Sequence, residues 1–100
     1  MRTHESTFTP AVLFNCCTDH GEPDWSQFDA LEIGGCADDG DGNTNGGLSR
    51  SEAEFFTVYG HFRSGGVEAL TDVPTYEGAL GVADELARRS SLPITLHPTL

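Results

Sequence analysis

The sequence predicts an α+β fold, an antiparallel sheet of three to five strands with one main helix packed on a face. Two observations carry that expectation. Residues 54–73 alternate apolar and polar side chains through two runs separated by Ser64-Gly65-Gly66, the pattern of an antiparallel hairpin. Residues 75–89 then change to apolar spacings of three and four, the period of an amphipathic helix.

Taken in chain order, Ala11–Cys17 is a short apolar run and reads as a buried strand. Residues 18–24 hold Gly21 and Pro23 and form a connection. Asp24 is placed to cap a short helical start at Trp25, and Asp29–Ile33 alternates like a strand that ends near Gly34-Gly35. Residues 37–50 are dominated by Asp, Gly and Asn and read as an acidic loop within a single domain spanning 1–100. The hairpin-helix unit covers 54–97. In it Phe56, Val58, Gly60 and Phe62 share one strand face and Phe55, Thr57, Tyr59, His61 and Arg63 the other. On the returning strand Val67, Ala69, Thr71 and Val73 lie on one side. Thr75 is the helix N-cap, with Glu77 in the first turn and Arg88 and Arg89 in the last, as the helix dipole favours. Tyr76, Ala79, Leu80, Ala83, Leu86 and Ala87 form the apolar stripe. Ile94–Leu96, after Pro93, is a short edge strand. The expected core is Phe56, Val58, Phe62, Leu80 and Leu86.

Composition bounds function more tightly than any motif. Sixteen carboxylates face five cations, all Arg, for a formal net charge of -11 over 100 residues. A field of that sign repels phosphate backbones and anionic lipid and attracts basic surfaces. Direct nucleic-acid binding and membrane association are therefore not expected. The polar segment Met1–Pro10 lacks the pattern of a signal peptide, and a cytoplasmic location is expected. The three cysteines, Cys16, Cys17 and Cys36, are expected to be reduced.

Residues 41–52 match the ligand spacing of an EF-hand calcium loop. Asp41, Asn43, Asn45, the Gly47 carbonyl, Ser49 and Glu52 stand at the ligand positions, and Gly46 at the sharp turn. The segment before Asp41 contains Gly34, Gly35 and Gly40 and no helical stripe, so the entering helix is missing. A flexible acidic turn that meets a strand near Glu52 is the preferred reading, with a calcium-binding module as the alternative. Cys16, Cys17, His20 and Cys36 lack zinc-ligand spacing. No serine lies in a nucleophile frame, and the Gly-rich stretches lack a P-loop lysine. No enzyme activity, cofactor or metal is expected.

The run Phe56-Thr57-Val58-Tyr59-Gly60-His61, then Gly65-Gly66-Val67-Glu68, Asp72, Pro74-Thr75 and an Ala/Leu-rich helix resembles small accessory proteins of phages, plasmids and integrative elements. With its length and charge, the chain resembles anti-CRISPR proteins of the acidic DNA-mimic kind that inhibit type I systems. The resemblance implies a binding protein that occupies the DNA-binding surface of a Cascade subunit in a bacterial host. A monomer is expected rather than a dimer. Charge alone nominates the contact residues: Asp38, Asp39, Asp41, Glu52 and Glu54 around the loop, Glu68 and Asp72 on the returning strand, and Glu77, Asp84 and Glu85 on the helix.

Overall fold

The computed structural model describes residues 8–100. Most of the polar N-terminal segment, residues 1–7, lies outside the described residues. Five strands, β1 (Phe28–Asp38), β2 (Thr44–Leu48), β3 (Phe55–Phe62), β4 (Val67–Val73) and β5 (Ile94–Leu96), form one sheet with two helices, α1 (Pro10–Leu13) and α2 (Tyr76–Ser90). The strand order is β2-β1-β3-β4, and β5 also pairs with β1. β1 therefore uses one edge for β3 along Phe28–Cys36 and divides the other. Leu31–Ile33 pair with β5, and Gly35–Asp38 pair with β2. The architecture is α+β, with α2 packed on one face of an open sheet.

All pairings are antiparallel except that of β5, which runs parallel to β1. The reason is the crossover. β4 runs in the same direction as β1, and α2 carries the chain over the sheet face to β1's far edge, so the chain returns in β4's direction, as parallel connections require a helix-length crossover.

The core lies between α2 and the sheet. Phe56, Val58 and Leu86 are buried, with Phe28, Leu31, Ile33, Leu70 and Val82, and Phe62 packs against them half-buried. Leu80 is the exception to the expected core, at 39% exposure, while Val82 is 4% exposed. The buried face is Ala79, Val82, Ala83 and Leu86, spacings of three, one and three. That face is rotated from the expected stripe, which leaves Leu80 on its flank. Thr75 caps the helix by accepting from the Gly78 N–H at 3.0 Å. Gly60 faces the core because Phe28 needs its space. A Cβ there would stand 2.6 Å from the Phe28 ring, which stacks on Phe62 at 4.9 Å between centroids.

Three expectations are corrected. Ala11–Cys17 is not a strand: it begins with the helical turn α1 and then runs against β4. Leu13 and Phe14 are both buried, and consecutive strand residues point to opposite faces, so a helical turn is what sends both inward. Residues 37–50 are not wholly loop. β1 continues to Asp38, and Thr44–Leu48 returns as β2, held by main-chain pairing that its exposed side chains do not announce. A bulge in β2 shifts the register between Gly35 and Ala37, and Gly47, at φ 69°, supplies the left-handed conformation there. The third correction is the returning strand. Val58 opposes Thr71 but Tyr59 opposes Ala69, so Leu70 is an extra residue. This bulge puts Thr71 and Val73 on the core side and Val67 and Ala69 on the opposite face beside His61 and Tyr59, while Leu70 is buried.

Leu86→Ala is expected to destabilise the fold by about 2–5 kcal/mol, as for other fully buried leucines. Leu80→Ala is expected to cost under about 1 kcal/mol, as at surface sites. Urea unfolding of the two variants checks this. Equal losses would show that the helix is seated differently.

Candidate functional site

One end of the sheet gathers five of the nominated carboxylates. Asp38 ends β1, Asp39 and Asp41 lie in the turn to β2, and Glu52 and Glu54 lie in the connection to β3. All five are exposed. Local hydrogen bonds hold four of them. The Asp38 carboxylate accepts from the Gly40 N–H at 2.8 Å. Asp39 Oδ1 accepts from the N–H groups of Asp41 and Asn43 at 2.7 and 3.1 Å, closing the turn. Glu54 Oε1 accepts from the Asp38 N–H at 3.0 Å, joining the two connections. Glu52 accepts from the Ser49 hydroxyl at 2.8 Å and, at 3.3 Å, its N–H.

These bonds favour the charged forms. The backbone donors of Asp41 and Asn43 hold the Asp39 carboxyl below its ordinary 3.8. Ser49 does the same for Glu52, below 4.5. Among the described residues no arginine makes an ion pair with this end. Arg50, nearest in sequence, places its guanidinium carbon 4.0 Å from the centre of the Tyr76 ring. Arg63 donates to the Ser26 carbonyl.

The other five nominated residues lie elsewhere. Glu77 and Asp84 are exposed on α2, and Glu68 is exposed on β4, where its charge, after burial, helps raise the Cys17 thiol. Glu85 is engaged with both terminal arginines of α2. It bonds to the Arg88 guanidinium, and Arg89 Nε donates to it at 2.8 Å. Its side chain is 12% exposed, so it presents little charge outward. Asp72 serves the fold as well. Its Oδ1 accepts from the Thr57 hydroxyl at 2.7 Å, and its backbone is paired on both sides by the Asn15 side-chain amide.

The matched calcium-loop positions are distributed over three pieces of structure. Asp41 and Asn43 lie in the turn, Asn45 pairs opposite Ala37 within β2, and Glu52 folds onto Ser49 in the next connection. Among the described residues no three His, Cys, Asp or Glu side chains are grouped to hold a metal ion. Cys36 is buried, with Sγ 3.3 Å from both the Thr57 and Tyr59 hydroxyls, whereas Cys16 is exposed. No helix of the described residues is long and apolar enough to cross a membrane.

Charge counting missed Asn15, whose amide binds the β4 backbone, and the open-face residues Thr57 and Tyr59. Their period-2 alternation marked the face but gave no sign of what covers it.

The Asp39 turn generates a pH expectation. A carboxyl held low in the folded state stabilises the fold above its unfolded value, and that contribution is lost as pH falls through the folded value. Carbon-detected NMR titration is expected to place the Asp39 midpoint below 3.8, and Asn43 N–H protection is expected to fall with it. An Asp39 midpoint at or above 3.8 would show the turn bonds absent in solution.

The chain matches no protein-family model, no curated protein and no solved structure.

Proposed function

We propose that this protein is a non-enzymatic acidic binding protein that occupies a basic, nucleic-acid-binding surface of a partner in the manner of a DNA mimic. The observation that carries this reading is the group of five exposed carboxylates at one end of the sheet, none ion-paired with an arginine described in the structure. Three of them, Asp38, Asp39 and Glu54, are tied into the backbone bonding of the sheet end. Such anchoring lowers the entropy that a flexible acidic tail would lose on docking. The net charge of -11 adds long-range attraction to a cationic groove, which speeds encounter and makes binding salt-sensitive. Glu77 and Asp84 on α2 extend the negative surface beyond that end.

The resemblance to type I CRISPR inhibitors makes a Cascade complex the first partner to test, and this reading places the protein in the cytoplasm of a bacterial host. Competition with target DNA on purified Cascade is measured across a salt series. Asp41→Arg is the informative variant, because no side-chain hydrogen bond ties the Asp41 carboxylate to the fold among those found in the described residues. It is expected to weaken competition tenfold or more, since juxtaposed like charges cost several kcal/mol, with stability within about 0.5 kcal/mol of the parent. His20→Ala and Cys17→Ala are expected to compete as the parent does. If Asp41→Arg, Glu52→Arg and Glu54→Arg all compete like the parent, docking through this end is wrong. Loss of inhibition in a folded Cys17→Ala or His20→Ala variant would instead point to chemistry at that side chain.

A further inference from the structure

The sheet face opposite α2 is hollow. Its floor is Thr57 on β3, opposite Asp72 on β4, and Ala69 on β4, opposite Tyr59 on β3. The Tyr59 ring lies over Gly34, where a Cβ would stand 3.2 Å from it. At one side β2 brings Thr44 and Gly46 to the rim, and at the other the segment after α1 brings Cys16. The result is an open cavity of about 270 Å³ whose walls include Phe55, Thr57, Tyr59, Cys16 and Asp72, just below the lower size of small-molecule sites, about 300 Å³.

Its chemistry is one-sided. Among the described residues Asp72 is the one charged residue lining it. Asp72 Oδ1 is oriented by the Thr57 hydroxyl at 2.7 Å, which in turn lies 3.3 Å from the Cys36 sulfur. Partial burial of its sulfur and the neighbouring Asp72 charge push the thiol of the otherwise exposed Cys16 up to about 12, so the thiol stays neutral and does not compete as a second anion. Burial and its contact with Cys36 raise the Tyr59 phenol, which likewise stays neutral. An anion is excluded by Asp72 and by the net charge of the chain. An uncharged apolar guest would leave the carboxylate unpaired against it, which is unfavourable.

We propose that this cavity binds a guanidinium group. A planar cation with several N–H donors suits an oriented carboxylate beside aromatic walls, because guanidinium pairs with carboxylate at two points and stacks on rings, whereas ammonium is a compact and strongly hydrated point charge. The group has two sources, a free small guanidine or an arginine side chain presented by a protein. The second source rests on the docking function proposed above, and the first does not.

The test is amide NMR titration of the whole chain with three probes. Methylguanidine, a single guanidinium cation, represents the free guanidine, N-acetyl-arginine amide the chain-borne one, and N-acetyl-citrulline amide is the uncharged match. Methylguanidine is expected to give saturable shifts at Thr57, Tyr59, Ala69 and Asp72 with a Kd of about 1 mM or tighter. Citrulline amide is expected to give none. Asp72→Asn keeps an acceptor for the Thr57 hydroxyl and is expected to weaken methylguanidine at least tenfold. Phe55→Leu keeps apolar volume, removes a ring and is expected to weaken it several-fold. Saturation by both guanidinium probes assigns the site to an arginine side chain, and saturation by methylguanidine alone assigns it to a free ligand. No saturable shift with either, equal shifts with citrulline amide, or unchanged affinity in a folded Asp72→Asn variant overturns the proposal. Methylguanidine binding is read without any partner, so its failure and a failure of DNA competition are separate results.

Discussion

The bonding of β1 is the constraint on which the rest of the structure depends. Among the described residues this 11-residue strand is the one element that touches three others by main-chain pairing. Ile33–Cys36 are buried without a break, so their backbone polar groups must find partners, because a buried orphan N–H or C=O is costly. β3 satisfies one edge. No single remaining strand satisfies the other, so β5 and β2 divide it. Backbone bonds from Leu31 to Pro93 and from His97 to Ile33 extend β5's share at both ends. The glycines in the strand follow from the same crowding: a Cβ at Gly35 would stand 2.6 Å from the Leu48 carbonyl oxygen.

The outer edge of β4 is managed differently. Among the described residues no strand pairs with it, and an open edge invites association with another chain. The segment after α1 covers it instead. The Cys16 N–H bonds to the Leu70 carbonyl, the Asn15 side chain substitutes for a backbone pair at Asp72, and the buried Thr71 hydroxyl donates to the Val12 carbonyl. The bulge at Leu70 and this covering segment sit together. The extra residue turns Leu70 into the core, and the disturbed edge is bonded by side chains.

The acidic character and the fold are not independent. Asp24 caps the turn at Trp25, Asp39 closes the β1–β2 turn, Glu54 bonds the end of β1, and Glu85 fastens the arginines of α2. These carboxylates are spent partly on structure, so reversing their charge disturbs local geometry as well as the field. Asp41, Glu77 and Asp84 contribute charge without that structural duty among the bonds described, and they separate the two effects most cleanly. Asp72 stands between the classes, since it bonds to Thr57 and also faces the cavity.

Elements whose signal lies within a few residues were legible in the sequence. The alternation of β3, the Gly-rich turn at Gly65-Gly66, the Thr75 cap and the C-terminal arginines of α2 are local, and the α+β class follows from them. The one-sided charge was legible too, because it needs only a count. Tertiary structure decided what depends on distant partners. β2 carries no apolar alternation and exists because β1 offers an unpaired edge. Ala11–Cys17 takes a helical turn because Leu13 and Phe14 must both enter one core. The bulge at Leu70 splits a strand face that looks continuous in one dimension. The hollow face forms only when Gly46 of β2, Thr57 of β3 and Ala69 of β4 come together across the sheet, and cross-strand distance is the quantity that a linear sequence does not carry.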